Sequence, residues 1–362
     1  MEYLKKQDPA LKFFGVGSKA MEKKGFECLG YSEDMAIVGL VEVITHYPEL
    51  KRIFNHLIEQ ANVRKPAVVL LLDYPDFNLR IAKELKPFNH RVFYYISPQV
   101  WGWRQNRIFD IKKYCEKVFL LFPFEVDFYK QHDVPFEFVG HPLLDDLGPE
   151  LFDASKIAVR RSQFGIKKSE KVLLLMPGSR KGEIERHMQI QLDTAEILIK
   201  KYPQIRIVIA CAPSLTKEFL LEKMNSFKAP YLMLQEDPNQ MIALSDLVLS
   251  ASGTATLMVG LLEKPMVIMY KMNWLSGKIA IYLTRHMRFF GLPNLVLNEL
   301  VVKEFKQDEV ATKQLTTELE KLIVDEKYYN SVVSKLKNIR HHLGDKGASK
   351  KVADHLWKVI RS

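Results

Sequence analysis

Arg91-Val92-Phe93-Tyr94-Tyr95-Ile96 runs directly into Ser97-Pro98-Gln99-Val100-Trp101-Gly102-Trp103-Arg104. The first run is apolar, aromatic and β-branched, so it reads as a strand. Past the second, Gln105 to Tyr114 has helical spacing. Strand, turn and helix in this order belong to an α/β fold, where ligands bind beyond the carboxyl ends of the strands. Two of the four Trp of the chain crowd into this one turn. Packing of a loop would account for Trp101 and Trp103. A ligand edge would account for Gln99, Trp101 and Arg104 together.

The same alternation extends in both directions. In the first half, strands are expected at Lys12–Val16, Ala67–Leu72, Arg91–Ile96, Lys117–Leu121 and Phe136–Val139. Helices are expected at Val41–Gln60, Phe77–Lys86 and Phe124–Gln131. The pattern lapses into Asp, Pro, Gly and charged residues around Leu144–Ser162, and then resumes. The second set of strands is Lys171–Met176, Ile205–Ala210, Tyr231–Leu234, Leu247–Ser250 and Pro265–Met269. Continuous apolar runs of this length mark parallel strands buried on both faces. The reading is two Rossmann-like domains facing a cleft, over 1–150 and 151–335, with a charged helical tail over 336–362. A doubly wound half normally opens with a strand, a glycine-rich turn and a helix. Met1–Gln7 instead reads as the end of that helix, so the first strand is missing and a gap is expected near the centre of the first sheet. Either the natural start lies upstream or this is a specialised relative.

Composition sets outer bounds. The 362 residues exceed the roughly 250–300 at which single cores stop growing. No apolar run reaches the roughly 20 residues of a spanning helix, and Met1 opens no signal peptide. Cys28, Cys115 and Cys211 form no CxxC and no zinc spacing, which suits free thiols in a reducing compartment. The net charge of +10 favours an anionic partner: nucleic acid, an anionic bilayer or a phosphorylated ligand. No RNP-type motif is present, so nucleic acid is not expected. Val38–Ile58 and Trp274–Phe290 mix apolar and basic residues, as segments lying in a headgroup layer do and as ordinary amphipathic helices also do.

Several residues are suited to chemistry. Leu70-Leu71-Leu72-Asp73-Tyr74-Pro75-Asp76-Phe77-Asn78 is an apolar strand ending in two carboxylates. Asp73 should face the ligand edge, where a carboxylate can act as general base. A helix cap is the competing role, and Asp76 fits it better. Pro177-Gly178-Ser179-Arg180 follows the first strand of the second half; its glycine, the following helix N-terminus and Arg180 suit a diphosphate. Ser252-Gly253-Thr254-Ala255-Thr256 is a second turn of small residues, without the Lys of a Walker loop. Asn294, in Gly291-Leu292-Pro293-Asn294, would bond a sugar or uracil, or hold a turn. His141, between Gly140 and Pro142, is read as structural. No His or carboxylate cluster has metal-ligand spacing, so neither metal nor cofactor is expected.

The segments LDYPDFN (72–78), SPQVWGWR (97–104), PFE (123–125), FVGHPL (138–143), PGSR (177–180), SGTAT (252–256) and LPN (292–294) together resemble the lipid-A-disaccharide synthase family from about Phe13 to Asp308. The resemblance implies a GT-B fold and an inverting glycosyltransferase. Such enzymes join UDP-2,3-diacylglucosamine to 2,3-diacylglucosamine 1-phosphate, with release of UDP, in the cytoplasm at the inner face of the inner membrane. It implies Asp73 as base, Arg180 as a UDP contact, and Asn294 with Ser252, Gly253 and Thr254 in donor binding. An anionic membrane surface becomes the expected partner, and a homodimer is left open. Two departures stand out: the family's Gly-Glu-x-Ser-Gly-Asp segment has no counterpart, and Met258 stands where a ribose-binding Glu is usual. Rival readings are another GT-B UDP-sugar enzyme, such as an epimerase, and a homologue without turnover.

Overall fold

The computed structural model describes residues 1–32, 40–102, 104–224, 227–273 and 287–362. Trp103, most of Trp274–Phe290, and residues 38 and 39 at the start of Val38–Ile58 lie outside the described residues. Contacts divide the chain into two units, Met1–Gly140 with Gly347–Ser362, and His141–Lys346. Residues 336–346 of the expected tail therefore group with the second unit and 347–362 with the first.

The first unit holds β1 (Phe14–Gly17), β2 (Glu27–Tyr31), β3 (Val69–Leu72), β4 (Val92–Tyr95), β5 (Lys117–Leu120) and β6 (Phe136–Phe138). All pairings are parallel. Side chains alternate between the faces of a strand. Val92 and Tyr94 of β4 therefore join one core with Leu71, Leu79, Ile108, Ile111, Leu120 and Tyr129, beneath the flanking helices. Phe93 points the other way and stacks on Phe119 at 6.2 Å. The ring of His355 meets them edge-on at 5.9 and 5.3 Å. His355 sits on the last helix, Ala348–Arg361, whose Val352, Ala353 and Leu356 are buried. The end of the chain thus covers the second face of this sheet.

The expected gap is where the first sheet divides. β1 and β2 pair only with each other, and β3-β4-β5-β6 form a separate sheet. β3 keeps an unpaired edge among the described strands. Its Val-Leu-Leu-Leu reads like a strand covered on both faces, yet Leu72 is 43% exposed.

The second unit holds β7 (Lys171–Met176), β8 (Ile205–Ala210), β9 (Tyr231–Leu234), β10 (Leu247–Ala251), β11 (Met266–Tyr270) and β12 (Lys303–Lys306). They form one parallel sheet in the order β12-β11-β10-β7-β8-β9. This is the doubly wound order, and its direction reverses between β7 and β10, the position at which such sheets bind ligands.

β2 and β12 escape a reading by apolar runs. β2 carries Gly30, where a Cβ would stand 3.0 Å from the Ile53 side chain on helix Leu40–Arg64, so close helix packing favours glycine. β12 is Lys-Glu-Phe-Lys at the sheet edge, where charged residues discourage further pairing.

Candidate functional site

In the first unit the C-terminal ends of β3, β4 and β5 lie along one edge. After β3, Asp73 (φ +50°) and Tyr74 (φ +43°) are both left-handed, and helix Pro75–Leu85 starts directly on Pro75. Two successive non-glycine residues of this kind need support from their surroundings. Asp73 supplies the anchor: its carbonyl accepts from Asn78 Nδ2 at 2.6 Å and from the Tyr94 hydroxyl at 2.8 Å. Asn78 Nδ2 also donates to the Leu72 carbonyl at 2.9 Å. The Asp73 carboxylate is left exposed, with no hydrogen bond or ion pair to any described residue. Asp76 is not the cap its spacing suggested, because Pro75 opens the helix and Asp76 falls inside its first turn. It pairs instead with Arg104 at 3.1 Å and with Arg107. The turn after β3 and the loop after β4 are thereby tied together.

That loop presents Gln99, which is exposed, and Trp101, whose ring meets Phe124 edge-on at 4.9 Å. Beneath lies Glu125, 3% exposed, which accepts from Phe122 N at 3.1 Å and Leu121 N at 3.3 Å. Burial pushes its carboxyl up to about 7, against the opposing pull of these amides and of the Trp101 indole. The indole lies close enough to act on the carboxylate, although its Nε1 makes no well-aligned hydrogen bond with a described residue. An acid whose folded value is raised holds its proton in the native state while the unfolded chain releases it. Stability attached to Glu125 therefore falls as pH rises from about 4.5 to about 7 and is level above. Glu125→Gln is expected to melt higher than the wild type at pH 8, with the difference shrinking towards pH 4.5. Equal melting curves at both pH values would contradict this.

In the second unit, Pro177-Gly178-Ser179-Arg180 joins β7 to helix Lys181–Lys201. One face of that helix carries Glu183, His187 and Gln191, spaced four apart so that they stack along it. Each holds a successive part of the turn. Glu183 Oε2 accepts from Ser179 N at 2.9 Å and Arg180 N at 3.3 Å. His187 Nδ1 lies 2.9 Å from the Pro177 carbonyl, and its Nε2 lies 3.2 Å from Lys271 N and 3.1 Å from the Lys271 carbonyl. A neutral ring with its proton on Nδ1 would donate to Pro177 and accept from Lys271 N. Burial lowers the His187 pKa below its ordinary value, in the same sense, although its backbone hydrogen bonds push the other way. Gln191 Nε2 donates to Met176 O at 3.4 Å. Gly178 (φ +133°) admits this arrangement: a Cβ there would stand 2.6 Å from Glu183. The close approach that glycine permits is thus made by Glu183. Single-residue reading missed this stripe; its signal was the regular spacing of Glu183, His187 and Gln191.

The second small-residue turn lies beside the first. β10 pairs with β7, so Ser252-Gly253-Thr254 and Gly178-Ser179-Arg180 end neighbouring strands at the reversal point. Gly253 and Thr254 are exposed, and Thr256 Oγ1 donates to the Gly253 carbonyl at 2.8 Å. Among the described residues no group of His, Cys, Asp or Glu could hold a metal ion. No described helix is long and apolar enough to cross a membrane.

Comparison with known proteins shows the family. The family model described as Lipid-A-disaccharide synthetase matches residues 1–355. The chain is 35% identical to the lipid-A-disaccharide synthase of Geobacter metallireducens over 353 residues, covering 98% of this chain and 91% of that one.

The chain belongs to the lipid-A-disaccharide synthase family.

Solved structures agree on the fold. HepE from Anabaena, determined with UDP and glucose, has a TM-score of 0.58 at 13% identity and covers 99% of this chain and 94% of its own. The UDP-GlcNAc 2-epimerase of Neisseria meningitidis, bound to UDP-GlcNAc, has a TM-score of 0.57 at 18% identity and covers 85% and 82%. These likenesses place the chain among GT-B folds.

Asn294, for which the family resemblance implies a donor-binding role, is engaged within the protein in this structure. Asn294 is fully buried. Its oxygen accepts from Val301 N at 2.8 Å and Val302 N at 3.0 Å, and its nitrogen donates to Val302 O at 2.8 Å and Glu304 Oε1 at 2.5 Å. These bonds use both amide hydrogens and both acceptor positions of the side chain. Asn294 holds the loop leading into β12. Asn294→Ala would strand these partners in the core and is expected to cost about 3 kcal/mol or more; an unchanged denaturation midpoint would contradict this. His141 is 5% exposed, accepts from Leu143 N at 3.2 Å, and is pushed by burial down to about 4. Its ring is therefore neutral at neutral pH. Met258, at the position where the family resemblance implies a ribose-binding Glu, offers only a thioether, a weak acceptor for a ribose hydroxyl.

Proposed function

We propose that this synthase-family chain joins UDP-2,3-diacylglucosamine to 2,3-diacylglucosamine 1-phosphate. The 6-hydroxyl oxygen of the acceptor attacks the donor's anomeric carbon, the bond to the UDP oxygen breaks, and the linkage inverts to β-1,6. Asp73 takes the hydroxyl proton, which suits an exposed carboxylate that forms no ion pair with a described residue. Gln99, Trp101 and Arg104 bind the acceptor on the same strand edge. Gly178, Ser179 and Arg180, with Ser252, Gly253 and Thr254, hold the donor's diphosphate and stabilise the charge of departing UDP. The observation that carries this reading is the pairing of β7 with β10, which sets both small-residue turns side by side at the reversal point of the second sheet. The acylated substrates and the net charge of +10 support work at an anionic membrane surface, the inner face of the inner membrane.

Fold likeness to UDP-GlcNAc 2-epimerases favours a second reading, in which a UDP-sugar is converted with no acceptor. UDP release separates the two. With donor alone, transfer predicts none above the rate of hydrolysis; adding acylated acceptor should start stoichiometric release. Donor consumption that ignores the acceptor would favour the second reading.

A further inference from the structure

We propose that Glu183 is an internal anion that the donor's diphosphate must displace, so that this residue sets how readily UDP leaves. The proposal rests on the reading that the 178–180 turn holds the donor's phosphates. Glu183 already engages the groups an anion would use there. Its carboxylate accepts from the amides of Ser179 and Arg180, and its Oε1 lies 3.5 Å from Arg180 Nη1. The space it enters is the one left by the absent Cβ of Gly178. His187 and Gln191 hold the carbonyls of Pro177 and Met176 from the same helix face, so the turn keeps its form whichever anion fills it. Arg180 is 63% exposed at its side chain and can turn from Glu183 towards a ligand.

Transfer changes the balance of this competition. A UDP-sugar carries a diester-like diphosphate. Freed UDP gains a terminal phosphate with a second ionisation near pH 6, and so about one more negative charge at neutral pH. Repulsion from Glu183 therefore bears harder on product than on donor. A plain helix cap would not discriminate, since a residue at this position caps equally well as Glu or Gln.

Glu183→Gln separates charge from cap. Calorimetric titration of the full chain with UDP and with uridine should show UDP bound about tenfold more tightly by the variant, the scale of one like charge removed near a partly exposed site. Uridine affinity should not change. Glu183→Ala should lose melting temperature while keeping the gain in UDP affinity relative to uridine. A Glu183→Gln protein that melts like the wild type and binds UDP no more tightly overturns the proposal. Arg180→Ala tests the underlying reading separately: undiminished UDP affinity there would remove the phosphates from this turn, and the proposal with them.

Discussion

Asp73→Asn is expected to lower turnover by about 10²–10⁴-fold, the usual worth of a positioned general base, while substrate affinity and melting temperature stay near wild type. Asn is the informative replacement. Position 73 has φ +50°, and Asn tolerates the left-handed region better than other non-glycine residues do. The carbonyl that anchors the turn to Asn78 and Tyr94 belongs to the backbone and survives the change. What disappears is the proton acceptor. Asp73→Ala would mix that loss with strain. Steady-state kinetics on Asp73→Asn, with both acylated substrates in mixed micelles, separates kcat from KM. An undiminished kcat would remove Asp73 from the chemistry. A rise in KM alone would make it a binding residue.

Gly178→Ala is expected to cost about 2–3 kcal/mol of stability and most of the UDP affinity. Two effects add. A side chain at φ +133° carries backbone strain of roughly 1–3 kcal/mol. The new Cβ would also stand 2.6 Å from both Cβ and Oε2 of Glu183, a distance that forces one of them to move. Glu183 cannot retreat without releasing the amides of Ser179 and Arg180, and the new methyl group would then stand in the space a phosphate has to enter. Chemical denaturation and UDP titration read the two consequences. A variant with wild-type midpoint and affinity would show that the turn accommodates a side chain and that its glycine has another origin.

Much of the fold was legible in the chain because parallel strands announce themselves as unbroken apolar runs. Lys171–Met176, Ile205–Ala210 and Tyr231–Leu234 fall where those runs begin and end. The strands that stayed hidden are the ones whose residues answer to other demands, Gly30 to a helix and the lysines of β12 to solvent. The return of the last helix to the first sheet was not legible either. It depends on Phe93, Phe119 and His355 meeting across most of the chain, and no local pattern records such a contact.

The candidate site divides in the same way. Small residues at strand ends marked the turns at 178–180 and 252–254, and the strand order then set them side by side. What those turns bind within the protein was hidden, because Glu183 and His187 contact backbone atoms, which every residue has. The internal bonds of Asn294 were hidden for a related reason: an amide can satisfy a sugar or a loop, and only the fold shows that it is buried against Val301, Val302 and Glu304.

The most direct test of the account is to incubate the full chain with UDP-2,3-diacylglucosamine and 2,3-diacylglucosamine 1-phosphate in anionic vesicles, and to identify the product by mass spectrometry and by the anomeric coupling in its proton NMR spectrum. The account predicts one equivalent each of UDP and of a β-1,6-linked disaccharide 1-phosphate. A folded chain that binds both substrates and forms no disaccharide, or forms an α-linked one, would contradict it.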